Sequence, residues 1–361
     1  MKRELKTNGH ILCVRPDSMG DILMTSPAFR ALKETFHRTK ITLLTSTSGG
    51  AIAQFIPEID DILTINFPWE KTQMSSDSEK LLELIQLLQQ KHFDQAIIFT
   101  SFSQDPLLSA LICYLANIPQ RLAYSHTKPY ALLTKWVPDR EPQDGIRHEV
   151  ERQLVLVKTI GATTVDTRLS LQVPINAKKS IVHLLTTQGI SLQKPLIIIH
   201  PGANSIKRQY APSGFAEIAL LLHQYGYQIV CTGNKEEKDL VQLVSEYTGN
   251  KVISLAGELS LAELIALISY SSLLISNNTG PVHIAAALET PVVDLYALTN
   301  PQHTPWKVLS KVLYFDVRKE LQHEVINNEI PPNAVRLQSS QQVVMEAIKI
   351  LEKKKSLHYP I

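Results

Sequence analysis

Short apolar runs alternate along the chain with longer stretches in which apolar residues recur at helical spacing. An apolar run of four to six residues bounded by turn residues reads as a buried strand, and an i, i+3, i+4 pattern reads as an amphipathic helix. On that basis, segments 11–14, 40–45, 62–65, 95–99 and 121–124 are predicted strands of the first half. Segments 195–200, 228–232, 251–255, 272–276 and 291–296 are those of the second. The helices predicted between them cover 22–32, 51–55, 80–90, 107–115, 149–160, 177–188, 212–223, 238–246 and 261–268. Gly161 is placed to end one of these helices, and Ser260 with Glu263 forms a capping box at the start of another. Strand–helix alternation of this length predicts parallel sheets built from βαβ units. Segments 67–78 and 124–145 read as irregular, the latter carrying Pro129, Pro138 and Pro142. A last helix, 339–353, has Val343, Val344, Ala347, Ile348 and Leu351 on its apolar face.

Length turns this pattern into two domains, because 361 residues exceed what one such unit uses. The boundary is expected near Pro174, giving domains 1–174 and 175–335 and a terminal segment, 336–361, packing back on the body. A hydrophobic content of 44% with 19% charged residues belongs to a soluble globular chain, and a net charge of +2 excludes a general polyanion binder. The basic head (Lys2, Arg3, Lys6) and tail (Lys353, Lys354, Lys355) read as solvated ends, the alternative being attraction to an anionic membrane surface. No apolar stretch reaches the roughly 18 residues of a membrane span. The N-terminus runs into a strand without a signal-peptide pattern, so a cytoplasmic protein is expected. Cys13, Cys113 and Cys231 all lie in apolar runs and read as buried thiols.

Candidate chemistry collects where strands end. After the first strand comes Arg15-Pro-Asp-Ser-Met-Gly-Asp21, with Asp21 at the change from turn to helix. Ligands of open α/β sheets bind beyond the carboxyl ends of the strands, so Asp21 is either a helix N-cap or a catalytic carboxylate. The other loops of the first half offer Asp17, Ser18, Ser46, Thr47, Ser101, Ser103 and Gln104, suited to a hydroxylated ligand or to plain solvation. His148 reads as a helix-start residue or a hydroxyl contact. In the second half, the loop 201–208 carries Lys207 and Arg208 before a helix; its backbone N–H groups and two cations can hold a phosphate, or it is a basic surface loop. The stretch Ser276-Asn-Asn-Thr-Gly-Pro-Val-His283 ends a buried strand and opens a helix. Thr279 is a candidate cap, Gly280 permits close backbone approach, Pro281 suits the first helical turn, and the positive end of the helix faces an anion. His283, one turn in, is either a packed histidine or a ligand contact.

These stretches together resemble a known family. Arg15-Pro-Asp-Ser-Met-Gly-Asp21 with its Thr-Ser-Pro-Ala helix, Phe93-Asp-Gln-Ala-Ile-Ile98, His200-Pro-Gly-Ala-Asn204 with Lys207-Arg208, and Ser276-Asn-Asn-Thr-Gly-Pro-Val-His-Ile-Ala-Ala-Ala287 are similar in order and spacing to the bacterial heptosyltransferases, glycosyltransferase family 9. The resemblance spans about residues 10–310. It implies a GT-B fold, two Rossmann-like α/β/α domains facing each other across a cleft. It also implies an inverting, metal-independent transfer of a sugar, typically heptose from ADP-heptose. The expected acceptor is the lipopolysaccharide core or another, lipid-linked glycan, with peripheral association at the inner membrane. By motif position, Asp21 would be the general base, Lys207 and Arg208 would bind the diphosphate, and Gly202, Asn278, Thr279, Gly280, Pro281 and His283 would hold the donor. Ser18, Met19, Gly20 and Arg121 are expected on the acceptor side.

One departure is Asn278, where the family motif usually has Asp; an amide hydrogen-bonds hydroxyls but brings no negative charge. It keeps open a GT-B transferase with another nucleotide-sugar donor. A non-catalytic sugar-nucleotide or glycan-binding module is the alternative from another class. No Asp-x-Asp pair lies in a suitable loop, so no metal is expected, and no cofactor beyond the donor. No Gly-x-Gly-x-x-Gly follows a strand, which disfavours a nicotinamide-dependent oxidoreductase, and segment 318–333 carries no recognisable motif.

Overall fold

A computed structural model of the protein describes residues 9–67, 69, 78–297, 301–316 and 334–358. The basic head, segment 318–333 and most of the 67–78 stretch lie outside the described residues. The chain forms two compact units, Met1–Gln172 and Val173–Ile361.

The first unit holds six parallel strands: β1 (His10–Arg15), β2 (Lys40–Thr45), β3 (Asp61–Thr64), β4 (Gln95–Ile98), β5 (Gln120–Ser125) and β6 (Lys135–Pro138), in the order β3-β2-β1-β4-β5-β6. Its helices are α1 (Met19–Thr35), α2 (Thr47–Ala53), α3 (Ser78–Gln90), α4 (Leu107–Leu115) and α5 (Glu149–Lys158). Leu12, Val14, Ala96 and Ile98 face one side and share a core with Leu84, Leu88, Ala110 and Cys113 of α3 and α4. Ile11, Cys13 and Ile97, the alternate residues, are equally buried. Both faces of the sheet are covered, which is why its central strands are apolar throughout instead of alternating.

The second unit repeats the plan. Its strands are β7 (Leu196–His200), β8 (Gln228–Cys231), β9 (Ile253–Ser254), β10 (Leu273–Asn277), β11 (Val292–Tyr296) and β12 (Ser310–Tyr314), in the order β12-β11-β10-β7-β8-β9 and again parallel. The helices are α6 (Ile175–Thr187), α7 (Pro212–Gln224), α8 (Lys238–Tyr247), α9 (Leu261–Tyr270), α10 (Gly280–Ala287) and α11 (Ser340–His358). The last of these packs on α7 and on the β11–β12 side of its own sheet, burying Val343, Val344, Ala347 and Leu351.

Strand order places the loops. In each sheet the chain winds outward from its first strand, returns, and winds the other way from its fourth. The reversal opens a crevice between β1 and β4 in one unit and between β7 and β10 in the other, at the carboxyl ends of those strands. The motif residues 15–21 and 101–104 follow β1 and β4, and residues 201–208 and 278–283 follow β7 and β10.

The structure differs from the sequence-based expectation at the edges. β6 and β12 are strands that hydrophobic pattern does not announce. Among the described residues, β6 pairs only with β5, and β12 pairs with β11 and, at Tyr314 alone, with Arg336, so neither needs a continuous apolar run. β6 ends on Pro138, which an edge tolerates because no ladder donor is required there. The turn expected at 46–50 is instead the start of α2, whose N-cap Ser46 accepts a hydrogen bond from the Gly49 amide. β9 pairs through two residues only, where five were expected.

Candidate active site

In the first unit, Asp21 is not the N-cap of α1. The helix starts two residues earlier, at Met19, and Ser18 is the N-cap. Asp21 stands at the third helical position and closes a capping box: its Oδ2 accepts from the Ser18 amide (3.2 Å) and from Ser18 Oγ (2.7 Å). Its Oδ1 faces Arg15 Nη2 at 3.4 Å, and 17% of the side chain remains exposed. Met19 is half-buried and Gly20 buried.

Arg15 organises this corner. Its side chain is fully buried, with Nε 2.8 Å from Asp17 Oδ2 and Nη2 2.8 Å from Glu149 Oε1. Glu149 is also fully buried and accepts from Gln153 Nε2 at 2.6 Å. Gln104, from the loop after β4, donates to Asp17 Oδ1, and Ser46 Oγ donates to the Asp17 carbonyl at 2.7 Å. Three carboxylates thus surround one guanidinium. Burial works against the charge on Arg15, but Asp17, Glu149 and Asp21 outweigh it and hold its pKa above the ordinary value. Asp17 is pushed up to about 6, by burial first, with Asp21 adding like-charge repulsion and Arg15 pulling the other way.

Glu149 and Arg15 were not singled out from the sequence, yet a signal existed. Residues 149, 152, 153, 156 and 157 form the buried stripe of α5 at i, i+3, i+4, i+7, i+8 spacing. Three of the five are Glu, Arg and Gln. Polar groups on a core-facing stripe must be satisfied inside. Arg152 donates to the Thr100 carbonyl (2.8 Å) and to Asp139, and Gln153 to Thr100 (3.0 Å). His148, just before, is the N-cap of α5, its Nδ1 accepting from the Val150 amide at 3.2 Å.

Arg121, expected on the acceptor side, is not part of this corner. It lies at the amino end of β5, whereas the corner is built at the carboxyl ends of β1 and β4. Its guanidinium donates to the carbonyls of Ile118, Ala131 and Leu132, and packs on the Tyr114 ring. It clamps loops, and its donors are spent on backbone.

In the second unit, the loop after β7 winds through a 3-10 turn, Ile206–Arg208, with Lys207 half-buried and Arg208 exposed. Asn277 at the end of β10 ties this loop down: its Nδ2 donates to the Pro201 carbonyl at 2.7 Å and its Oδ1 accepts from the Tyr210 amide at 3.0 Å. Gly202 is buried against the Glu237 carboxylate, which occupies the space a Cβ would need. His200, behind it, contacts Thr232 Oγ1 at 3.0 Å; burial lowers its pKa, with Glu237 opposing.

Thr279 is the N-cap of α10, but its hydroxyl turns back to the Asn277 carbonyl (3.2 Å) and does not cap the first turn. Gly280 and Pro281 open the helix, and His283 is buried one turn in. Asn278, expected to hold the donor, is engaged within the protein through its amide hydrogens. Its Nδ2 donates to Asp294 Oδ2 at 2.8 Å and to the His303 carbonyl at 3.0 Å, so both of its hydrogens are engaged within the protein. Asp294, on β11, is fully buried, and burial pushes its pKa up to about 8 against the lowering effect of the Asn278 hydrogen bond. Nothing in the sequence marked Asp294, since it stands within an apolar strand.

Among the described residues, no group of three or more His, Cys, Asp or Glu side chains is arranged to hold a metal ion. The three cysteines are buried and unbridged. Among the described residues, no helix is long and apolar enough to cross a membrane.

Comparison with known proteins adds a family. The chain is 28% identical over 294 residues to lipopolysaccharide heptosyltransferase 3 of Escherichia coli K12, covering 80% of this chain and 82% of that one. Its fold is similar to a family 9 glycosyl transferase from Veillonella parvula, with TM-score 0.78 at 20% identity over 97% of this chain and 99% of the other. It is also similar to the E. coli ADP-heptose lipopolysaccharide heptosyltransferase II, with TM-score 0.72 at 22% identity over 96% and 99%. Two parallel six-stranded sheets with helices on both faces are the GT-B plan of these structures. The family model for glycosyltransferase family 9 (heptosyltransferase) matches residues 81–329, and the chain therefore belongs to that family and is a glycosyltransferase.

Proposed function

We propose that this enzyme transfers heptose from ADP-heptose to a lipopolysaccharide-core acceptor by an inverting, metal-independent displacement with Asp21 as general base. The observation that carries the reading is the Asp21 carboxylate: part-exposed at the carboxyl end of β1, and oriented by Ser18 on one oxygen and Arg15 on the other. A general base needs such a fixed, accessible oxygen within reach of the proton it takes. In the displacement, the acceptor oxygen attacks the anomeric carbon, its proton passes to Asp21, and the bond to the diphosphate oxygen breaks. The leaving diphosphate gains charge as that bond breaks. Lys207 and Arg208 in the loop after β7, with the amino end of α10 at Thr279 and Gly280, are the groups that stabilise it. Ser18, Met19 and Gly20 lie beside the base and contact the acceptor. Named donors and acceptors of the relatives support this choice of substrates. Work on a lipid-linked acceptor places the enzyme at the inner face of the inner membrane, held peripherally.

Turnover and donor binding separate the roles. Asp21→Asn should lose about 10²–10⁴-fold in kcat with ADP-heptose while binding ADP normally. Near-normal turnover in that variant would remove Asp21 from the role of base. Lys207→Ala should weaken ADP binding by about tenfold, the loss of one charge-assisted contact; unchanged affinity in a calorimetric titration would exclude it from the diphosphate site.

Asn278 favours a second reading, a transferase with a different nucleotide-sugar. Thermal shifts with ADP, GDP and UDP decide between them, because only the nucleotide that binds the native state raises Tm.

A further inference from the structure

Position 278 is where this chain departs from its family motif, and the structure shows what the departure is coupled to. A side-chain amide has two donor hydrogens and one acceptor oxygen. At Asn278 both hydrogens point to acceptors, Asp294 Oδ2 at 2.8 Å and the His303 carbonyl at 3.0 Å. Two acceptors on one side hold the amide's orientation, and the reversed amide would set oxygen against oxygen at the His303 carbonyl. Oδ1 of Asn278 accepts no hydrogen bond from the described residues. Asp294 has no competing use: it is fully buried, and its Oδ1 is without a hydrogen-bond partner among the described residues.

We infer that Asn278 and Asp294 form one specificity unit, in which Asp294 and the His303 carbonyl draw the amide hydrogens inward so that only the Asn278 carbonyl oxygen is left to meet a bound nucleotide-sugar. The position then reads a hydroxyl or amino hydrogen of the ligand, as a carboxylate at 278 would, but without its negative charge. Asp294 is a positioning residue; it acts through Asn278. The inference rests on the reading of the amino end of α10 as the donor site. It also explains why Asp is unsuited to position 278 in this chain. A carboxylate in the same pose would hold an oxygen 3.0 Å from the His303 carbonyl, acceptor against acceptor.

Calorimetric titration of ADP into the full-length protein tests this, with Tm recorded for every variant. Asp294→Asn keeps an acceptor for the Asn278 amide through its own carbonyl, and should bind ADP within about threefold of wild type. Asp294→Leu removes the acceptor and frees the amide to turn; it should lose about tenfold in affinity, the scale of one misplaced hydrogen bond, with Tm held or raised. Asn278→Asp should also lose about tenfold, because its carboxylate meets the His303 carbonyl. Equal ADP affinity in wild type, Asp294→Leu and Asn278→Asp would overturn the inference alone. If wild-type protein binds no ADP, the donor-site reading falls and the inference with it. Where Asn278→Asp does not fold, the contrast between Asp294→Leu and Asp294→Asn decides.

Discussion

Two acids with raised pKa values, Asp294 and Asp17, set the behaviour of individual residues with pH. Asp294 holds its proton to about pH 8 in the native state, whereas its ordinary pKa is 3.8. Between those values the folded chain binds a proton that the unfolded chain has released. Native stability attributable to this group therefore falls as pH rises through that window. Asp17, raised to about 6, pulls the same way over a narrower range. Asp294→Asn removes the first contribution and leaves the second. The Tm of Asp294→Asn minus that of wild type should grow steadily from pH 5 to about pH 8; a flat difference would mean that Asp294 ionises normally. Arg15 shows the complementary case. It is kept charged in the core by the three carboxylates it neutralises, and it fixes Asp21 through the same contacts.

At the scale of elements, α1 explains the Thr-Ser-Pro sequence that follows Asp21. Pro27 lies inside the helix and has no N–H, so the Leu23 carbonyl loses its partner four residues on. Ser26 Oγ supplies one, donating to that carbonyl at 2.6 Å, and it accepts from the Ser170 amide at 2.8 Å. Thr25 Oγ1 likewise donates to the Asp21 carbonyl at 2.7 Å. Ser26 thereby repairs the helix and fastens the far end of the first unit to it. Ser26→Ala leaves a carbonyl and an amide buried without this hydroxyl, and should cost about 1–3 kcal/mol in urea-unfolding stability. A change under about 0.5 kcal/mol would show that water or backbone shift replaces it. The helix α5 plays the matching part on the other flank, its Glu149, Arg152 and Gln153 joining Arg15, Asp139 and Thr100.

For the whole molecule, the two sheets carry separate cores. The core of the second unit is drawn from residues 197 to 351, including the apolar face of α11. Another core, under α3 and α4, is drawn from residues 12 to 133. Each unit has the size of an ordinary domain and buries its own apolar surface. A protein consisting of residues 173–361 should therefore fold cooperatively and bind ADP with an affinity near that of the full chain, checked by circular-dichroism melting and calorimetry. A fragment without a cooperative transition would mean that the second unit needs the first to complete its core.

The sequence alone determined the repeated α/β plan, because a strand covered on both faces must be apolar throughout and the helices between must show one apolar stripe. The last strand of each sheet, β6 and β12, escaped it, being less buried than the central strands. Asp21, Lys207 and the Thr279–Gly280 helix start were legible as candidates because they sit in motifs at strand ends. What the tertiary structure decided was the partnership of groups far apart in the chain. Arg15 meets Glu149 only because β1 and α5 pack together, and Arg121 proves to be a backbone clamp because it starts β5 instead of ending it. Asn278 donates to Asp294, sixteen residues on and one strand over. A hydrophobic pattern records which face of an element is buried. It does not record which buried polar group will be brought within 3 Å of another, and at these sites that proximity sets the chemistry.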